Sequence, residues 1–199
     1  MGYRNGVYVP TGRGFIAKRG RQLVWARFWK KKYSAEIEAY IAADIRHLWD
    51  RPPLDEINVQ NGILNVRTRQ LRPHDPDFLS PVQLPVDYNP RATCLAWERC
   101  VVDVFPDDSH QIAYQIPGWL MVPDRSIQKS VLLTGEGGNG KSVYLDGIRR
   151  FLGSGNTSAI PLQKLEANRF ACARLIGKLA NICTDLPRLN WRQRRCLKP

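Results

Sequence analysis

The chain has 199 residues, 43% of them hydrophobic, and a formal charge of +12, which allows one sizeable core or two small ones. No apolar run approaches the roughly 18 residues that a membrane span needs, and the N-terminus lacks the apolar centre of a secretion signal. Five cysteines, at 94, 100, 172, 183 and 196, show no C-x-x-C spacing, so the reading is a reduced cytoplasmic setting without a disulfide frame or zinc knuckle.

The charge is uneven. Residues 1–50 hold ten Lys/Arg against four Asp/Glu, residues 51–185 fifteen against fourteen, and residues 186–199 five against none. Two basic ends around a balanced middle suggest a polyanion such as DNA. Solubilising charge on exposed helices is the plainer alternative.

In chain order, Asn5-Gly6 before Val7-Tyr8-Val9 reads as a hairpin or short strand. Residues 13–32 hold eight Lys/Arg and no acid, interleaved with Phe15, Trp25, Phe28 and Trp29. Such a stretch suits phosphate neutralisation with base stacking on Trp25 or Trp29. It equally suits a surface helix whose aromatics turn inward. A helix is expected to begin near Ser34 as N-cap, with Ile37, Ile41, Ile45, Leu48 and Trp49 as a buried stripe, and to stop at Pro52-Pro53.

Ile57 to Val66, centred on Asn61-Gly62, predicts a hairpin. Residues 71–90 are rich in Pro and Asp and read as extended or loop. A helix is predicted from about Ala92 to Phe105, and another after Asp107-Asp108-Ser109, kinked or ended by Pro117. His47, His74 and His110 stand alone, without a partner at metal-ligand spacing.

Residues 135–142 read Gly135-Glu136-Gly137-Gly138-Asn139-Gly140-Lys141-Ser142, a complete G-x-x-x-x-G-K-S phosphate-binding loop. Glycines let the backbone turn tightly and aim its N–H groups into an anion-binding nest. Lys141 is placed for the β and γ phosphates of ATP, and the Ser142 hydroxyl for Mg²⁺. Ser130 to Thr134 is an apolar run expected to form a buried strand before the loop. Val143, Leu145, Ile148, Phe151 and Leu152 recur at helical spacing after it, with Gly153 as the stop. A short strand at 158–160, a helix over 161–168 and an apolar run over 175–183 follow. That run ends in Thr184-Asp185, about 44 residues after Lys141, which makes Asp185 the candidate acid beside Mg²⁺.

As an ordered set, several strings resemble the central segment of phage and plasmid primase–helicases, superfamily 3 helicases that share a domain with poxvirus primase–helicases. They are Ile57 to Val66, Arg72-Pro73-His74-Asp75-Pro76, Leu84-Pro85-Val86-Asp87-Tyr88, the phosphate loop, Asn168-Arg169-Phe170-Ala171, and Leu175 to Asn181. From Ile57 to Pro187 the resemblance covers about two-thirds of the chain.

It implies an α/β fold, a P-loop AAA-type nucleotide-binding core incomplete at the C-terminus and preceded by a small α+β domain. The implied partners are single-stranded or replication-fork DNA and further copies of the chain, a hexameric ring in the intact family, with no membrane. The implied cofactors are ATP and Mg²⁺. The implied activity is ATP-dependent DNA unwinding in phage or plasmid replication.

Two departures qualify the activity. The family carries acids at both positions where this chain has Thr184 and Asp185, and the missing carboxylate would orient the attacking water. The family also continues for roughly a hundred further residues, including an arginine finger, so the chain is expected to be a truncated member. A catalytically inactive nucleotide- or DNA-binding remnant is the alternative. The expected organisation is a basic N-terminal helical segment at 1–53, a small α+β domain at 54–122, the N-terminal part of a P-loop ATPase core at 123–187, and a basic tail at 188–199.

Overall fold

The computed structural model describes residues 2–9, 11–23, 28–43, 53–123 and 126–184. The chain divides into two compact units, 1–83 and 84–199.

In the first unit, β1 (Gly2–Arg4) and β2 (Val7–Val9) pair antiparallel. Asn5 and Gly6 take positive φ in the turn between them, as an Asn-Gly hairpin requires. Two helices follow, α1 (Gly12–Leu23) and α2 (Lys31–Ala43). A three-stranded antiparallel sheet comes next, in the order β3 (Glu56–Val59), β4 (Gly62–Asn65), β5 (Leu71–Arg72).

The hairpin predicted around residue 60 is present, with a shift of one residue. Val59 pairs with Gly62, so Gln60 and Asn61 form the turn and Gly62 already belongs to β4. Register also explains a buried polar residue. Ile57 and Val59 face one side of β3, whereas Asn58 lies opposite Ile63 on the other, and all four are buried. The Asn58 carboxamide donates to the Gly6 carbonyl at 2.8 Å. The Gln83 amide reaches the Asn5 carbonyl at 2.8 Å, and the Tyr8 amide reaches Ser80 at 2.9 Å. The first hairpin is thereby bonded to this unit's sheet and to the chain after it. Across β4, Arg72 of β5 grips Glu56 of β3 through two 3.1 Å hydrogen bonds. That fork keeps the guanidinium charged beyond its usual range.

One helix start moves. α2 begins at Lys31, three residues before the expected Ser34 cap, and Ile37 and Ile41 are exposed rather than buried. Its low amphipathicity leaves no apolar stripe strong enough to fix a buried face over the described span. Ile45, Leu48 and Trp49 lie outside the described residues.

The second unit opens with α3 (Leu95–Val104) and α4 (His110–Met121), joined by a 3₁₀ turn over Asp107–Ser109. α5 (Lys141–Leu152) follows the phosphate loop and ends at Gly153, whose positive φ supplies the predicted stop. β6 (Thr157–Ser158) pairs parallel with β7 (Ala180–Asn181), and α6 (Leu162–Ala167) and a 3₁₀ segment (Arg169–Leu175) lie between them in sequence. The Asn181 side chain extends that short ladder. It accepts from Ile160 N at 2.8 Å and from the Ser158 hydroxyl at 2.9 Å, and it donates to Ile160 O at 2.9 Å.

The core of this unit is aromatic. Tyr144 of α5 stacks on Trp97 of α3 at 5.1 Å and meets the Phe105 ring edge-on at 4.7 Å. Val101, Ala113, Ile148 and Leu152 are buried with it.

Of the kink or end expected at Pro117, the end does not occur: α4 runs through Pro117 to Met121. One expectation is corrected here. The apolar run 130–134 forms no strand, and Val131 and Leu132 are about half exposed. A strand exists only with a partner for its backbone groups, and no described segment pairs with this one.

Candidate functional site: the phosphate loop

Residues 135–140 wrap into the N-terminus of α5. Gly135, Gly138 and Gly140 have φ of +146°, +79° and +81°, conformations that side chains with a Cβ adopt at a cost. Gly140 is the N-cap, and its carbonyl accepts from Val143 at 2.9 Å and Tyr144 at 3.1 Å, which starts the helix. A Cβ on Gly140 would come within 2.7 Å of a Val104 methyl, so the backbone sits against α3 at this point. Around Gly137 and Gly138, by contrast, an added Cβ would meet nothing within 4 Å.

Lys141 is the first residue of α5, and its ammonium turns back into the loop. It donates to the Gly135 carbonyl at 3.1 Å, the Glu136 carbonyl at 2.7 Å and Asn139 Oδ1 at 2.5 Å. An ammonium has three donors, so the loop's own oxygens use all of them. Ser142, next along, is exposed on the first turn, where the leading amides of a helix have no carbonyl of their own to bond. Together with the helix dipole, free amides at that end favour an anion.

Beneath the loop the site is anchored. The Tyr144 hydroxyl donates to the Ala113 carbonyl at 2.7 Å. Burial first, and then the charge of Cys100, push the Tyr144 phenol up to about 12. Burial also raises the Cys100 thiol. Both groups are therefore neutral near pH 7 and bring no charge below the loop. On the far side of α5, Arg149 donates to the Ile182 carbonyl at 2.7 Å and tethers the strand that leads to Thr184.

Of the sequence-derived candidates, Gly135, Glu136, Gly137, Gly138, Asn139, Gly140 and Lys141 form one continuous loop, and Ser142 adjoins it. Asp185 lies outside the described residues; Thr184 before it is exposed. Sequence reasoning missed Val104 and Tyr144. The available signal for Tyr144 was its place three residues after Lys141, in line with Ile148 and Leu152 at helical spacing.

The oxygen cage around Lys141, the glycine backbone and the exposed helix start suit a phosphate chain: a fixed cation, amide donors and open space above Gly137 and Gly138. Among the described residues, no group of three or more His, Cys, Asp or Glu could hold a metal by itself.

Residues 30–106 match a family described as D5 N terminal like, which corresponds to the N-terminal domain of phage and viral primase–helicases of the D5 family. Residues 133–198, which include the phosphate loop, match a family of unknown function, DUF5906. No curated protein matches the chain. The first match supports a relation to the primase–helicases of phage and viral replication, and with it a DNA partner. No helix among the described residues is long and apolar enough to cross a membrane.

Proposed function

We propose that the chain is a P-loop ATPase of the superfamily 3 primase–helicase type. On this reading it binds Mg–ATP through residues 135–142, in an AAA-type α/β core preceded by a small α+β domain. The observation that carries the proposal is the Lys141 ammonium held by three loop oxygens at the N-terminus of α5. A cation fixed there, with glycine-rich backbone around it, is what a triphosphate needs.

Each residue then has a role. Amides of residues 137–142 receive phosphate oxygens. Lys141 exchanges loop oxygens for phosphate oxygens. Ser142 and Asp185 would hold Mg²⁺, which would supply charge neutralisation to the phosphates. Single-stranded or replication-fork DNA is the polymer acted on, and further copies of the chain complete a ring.

A second reading, nucleotide binding without turnover, is favoured by Thr184. A threonine there cannot act as the carboxylate that orients the attacking water.

The test is Mg–ATP turnover with and without single-stranded DNA, together with the thermal shift produced by Mg–ATP, each compared with Lys141→Ala. DNA-stimulated turnover lost in the variant supports the motor. A thermal shift without turnover, lost in the variant, supports binding alone. No shift and no turnover in the parent chain rejects both.

A further inference from the structure

Outside the phosphate loop, the first unit holds a cleft of about 710 Å³ between α1 and α2. Arg13, Gly14, Ala17 and Arg21 of α1 line one side, and Trp29, Ser34 and Glu38 line the other. The spacing 13, 14, 17, 21 is one helical face. Among the described residues Glu38 is the only acid in the lining, and Arg13 neutralises it at 3.1 Å. Arg21 is exposed and has no carboxylate partner among the described residues. α1 carries Arg13, Lys18, Arg19 and Arg21 and no acid at all.

The indole is held for display. Gly20 is buried, and a Cβ there would fall 2.0 Å from the Trp29 ring, so the ring rests directly on the α1 backbone. Tyr33 meets it edge-on at 6.1 Å, and Lys32 lies 5.6 Å from the Tyr33 ring centre. A half-buried indole already packed on backbone and ring costs little entropy when a flat ligand stacks on its open part.

We propose that this cleft is a binding site for single-stranded nucleic acid, with Trp29 stacking a base and Arg21 contacting the backbone phosphates. Single strands expose base faces to an aromatic platform, whereas a duplex keeps them stacked inside. From Arg13 to Arg21 the α1 side of the cleft runs about 12 Å, long enough to follow a strand past one base, with Arg21 its unpaired cation among the described residues. The site deepens the DNA reading given above, but it uses no residue of the phosphate loop.

The experiment is a fluorescence-anisotropy titration of the full chain with a fluorescein-labelled oligothymidylate of roughly twenty nucleotides, enough to span such a site. Neither nucleotide nor magnesium is present, so failure here leaves the ATP reading standing. The expected result is salt-sensitive binding, weakened roughly tenfold in Trp29→Leu. In Arg21→Gln the slope of log affinity against log salt should fall by about 0.7, the loss of one phosphate contact on a single strand.

Trp29→Leu disturbs the packing on Gly20, so Ala17→Glu provides a second variant. It leaves that contact alone, places a carboxylate in the cleft, and should weaken binding as strongly. Affinity unchanged in both Arg21→Gln and Ala17→Glu overturns the proposal. So does equal competition by a matched duplex or by polyglutamate, which would mark a general polyanion surface.

Discussion

The Tyr144 hydroxyl bonds the carbonyl of Ala113, and Ala113 stands four residues before Pro117. In a helix that carbonyl would accept the amide of residue 117, but proline has none. Tyr144 supplies the donor from a neighbouring helix, at 2.7 Å and in a fully buried position. α4 therefore passes through Pro117 instead of ending there, and the helix that starts in the phosphate loop is pinned to it.

This arrangement predicts a coupling. Tyr144→Phe keeps the ring contacts with Trp97 and Phe105 but leaves the Ala113 carbonyl without that donor, at a cost of about 1–3 kcal/mol. In a Pro117→Ala background the backbone amide returns, and Tyr144→Phe should cost clearly less. Urea unfolding of the four proteins gives the interaction energy. Equal costs of Tyr144→Phe in both backgrounds would remove Pro117 from the explanation.

Alkali should find the same residue. A tyrosine titrates near 10 in the unfolded chain and at about 12 here, so between those values the unfolded state has lost a proton that the folded state keeps. The contribution of Tyr144 is complete below pH 10 and is lost as pH rises toward 12. That difference corresponds to about 3 kcal/mol at most. Tyr144→Phe should therefore flatten the fall of stability over pH 10–12, relative to the parent. A parallel fall in both proteins would mean that other groups carry it.

Local chemistry was readable in the sequence where a residue acts on its own neighbours. Asn5-Gly6 makes its turn, Gly153 stops α5, and residues 135–140 wrap into a helix that begins at Lys141. What the sequence concealed depends on distant partners. Pro117 signals a kink or an end, and what lets the helix continue is a donor from Tyr144, 27 positions later. Val131 and Leu132 signal a buried strand, but no described segment pairs with them. Val143 fits the helical stripe and yet lies exposed, while Tyr144, one position on, carries the core. Periodicity gives the existence of an apolar face more readily than its exact direction.

Glycines within the loop should not be equivalent. Gly140 combines a φ of +81° with a Val104 methyl 2.7 Å from where a Cβ would stand. Gly140→Ala should destabilise the chain by about 1–2 kcal/mol or more from backbone strain alone. Gly137 has open space around it, and Gly137→Ala should stay within about 0.5 kcal/mol of the parent. Thermal unfolding without nucleotide reads both. Similar losses at the two positions would contradict the contact with α3.

Asn139 offers the sharpest test of the phosphate site proposed for the loop. Its Oδ1 is the one side-chain oxygen among the three acceptors of Lys141; the other two are backbone carbonyls. Phosphate binding must free at least one ammonium proton, and the side-chain oxygen is the easiest to give up. Asn139→Ala removes that competitor, so Mg–ATP should bind equally well or up to about fivefold tighter, within the range of an exposed charged contact. Asn139→Asp has the opposite sign. A carboxylate there holds Lys141 more strongly and repels the incoming phosphate, and affinity should drop by roughly tenfold or more. Calorimetric titration of the two variants separates this picture from one in which the Asn139 amide itself grips the nucleotide. In that case Asn139→Ala would weaken binding as well, and the competition between Asn139 Oδ1 and the phosphate would be rejected.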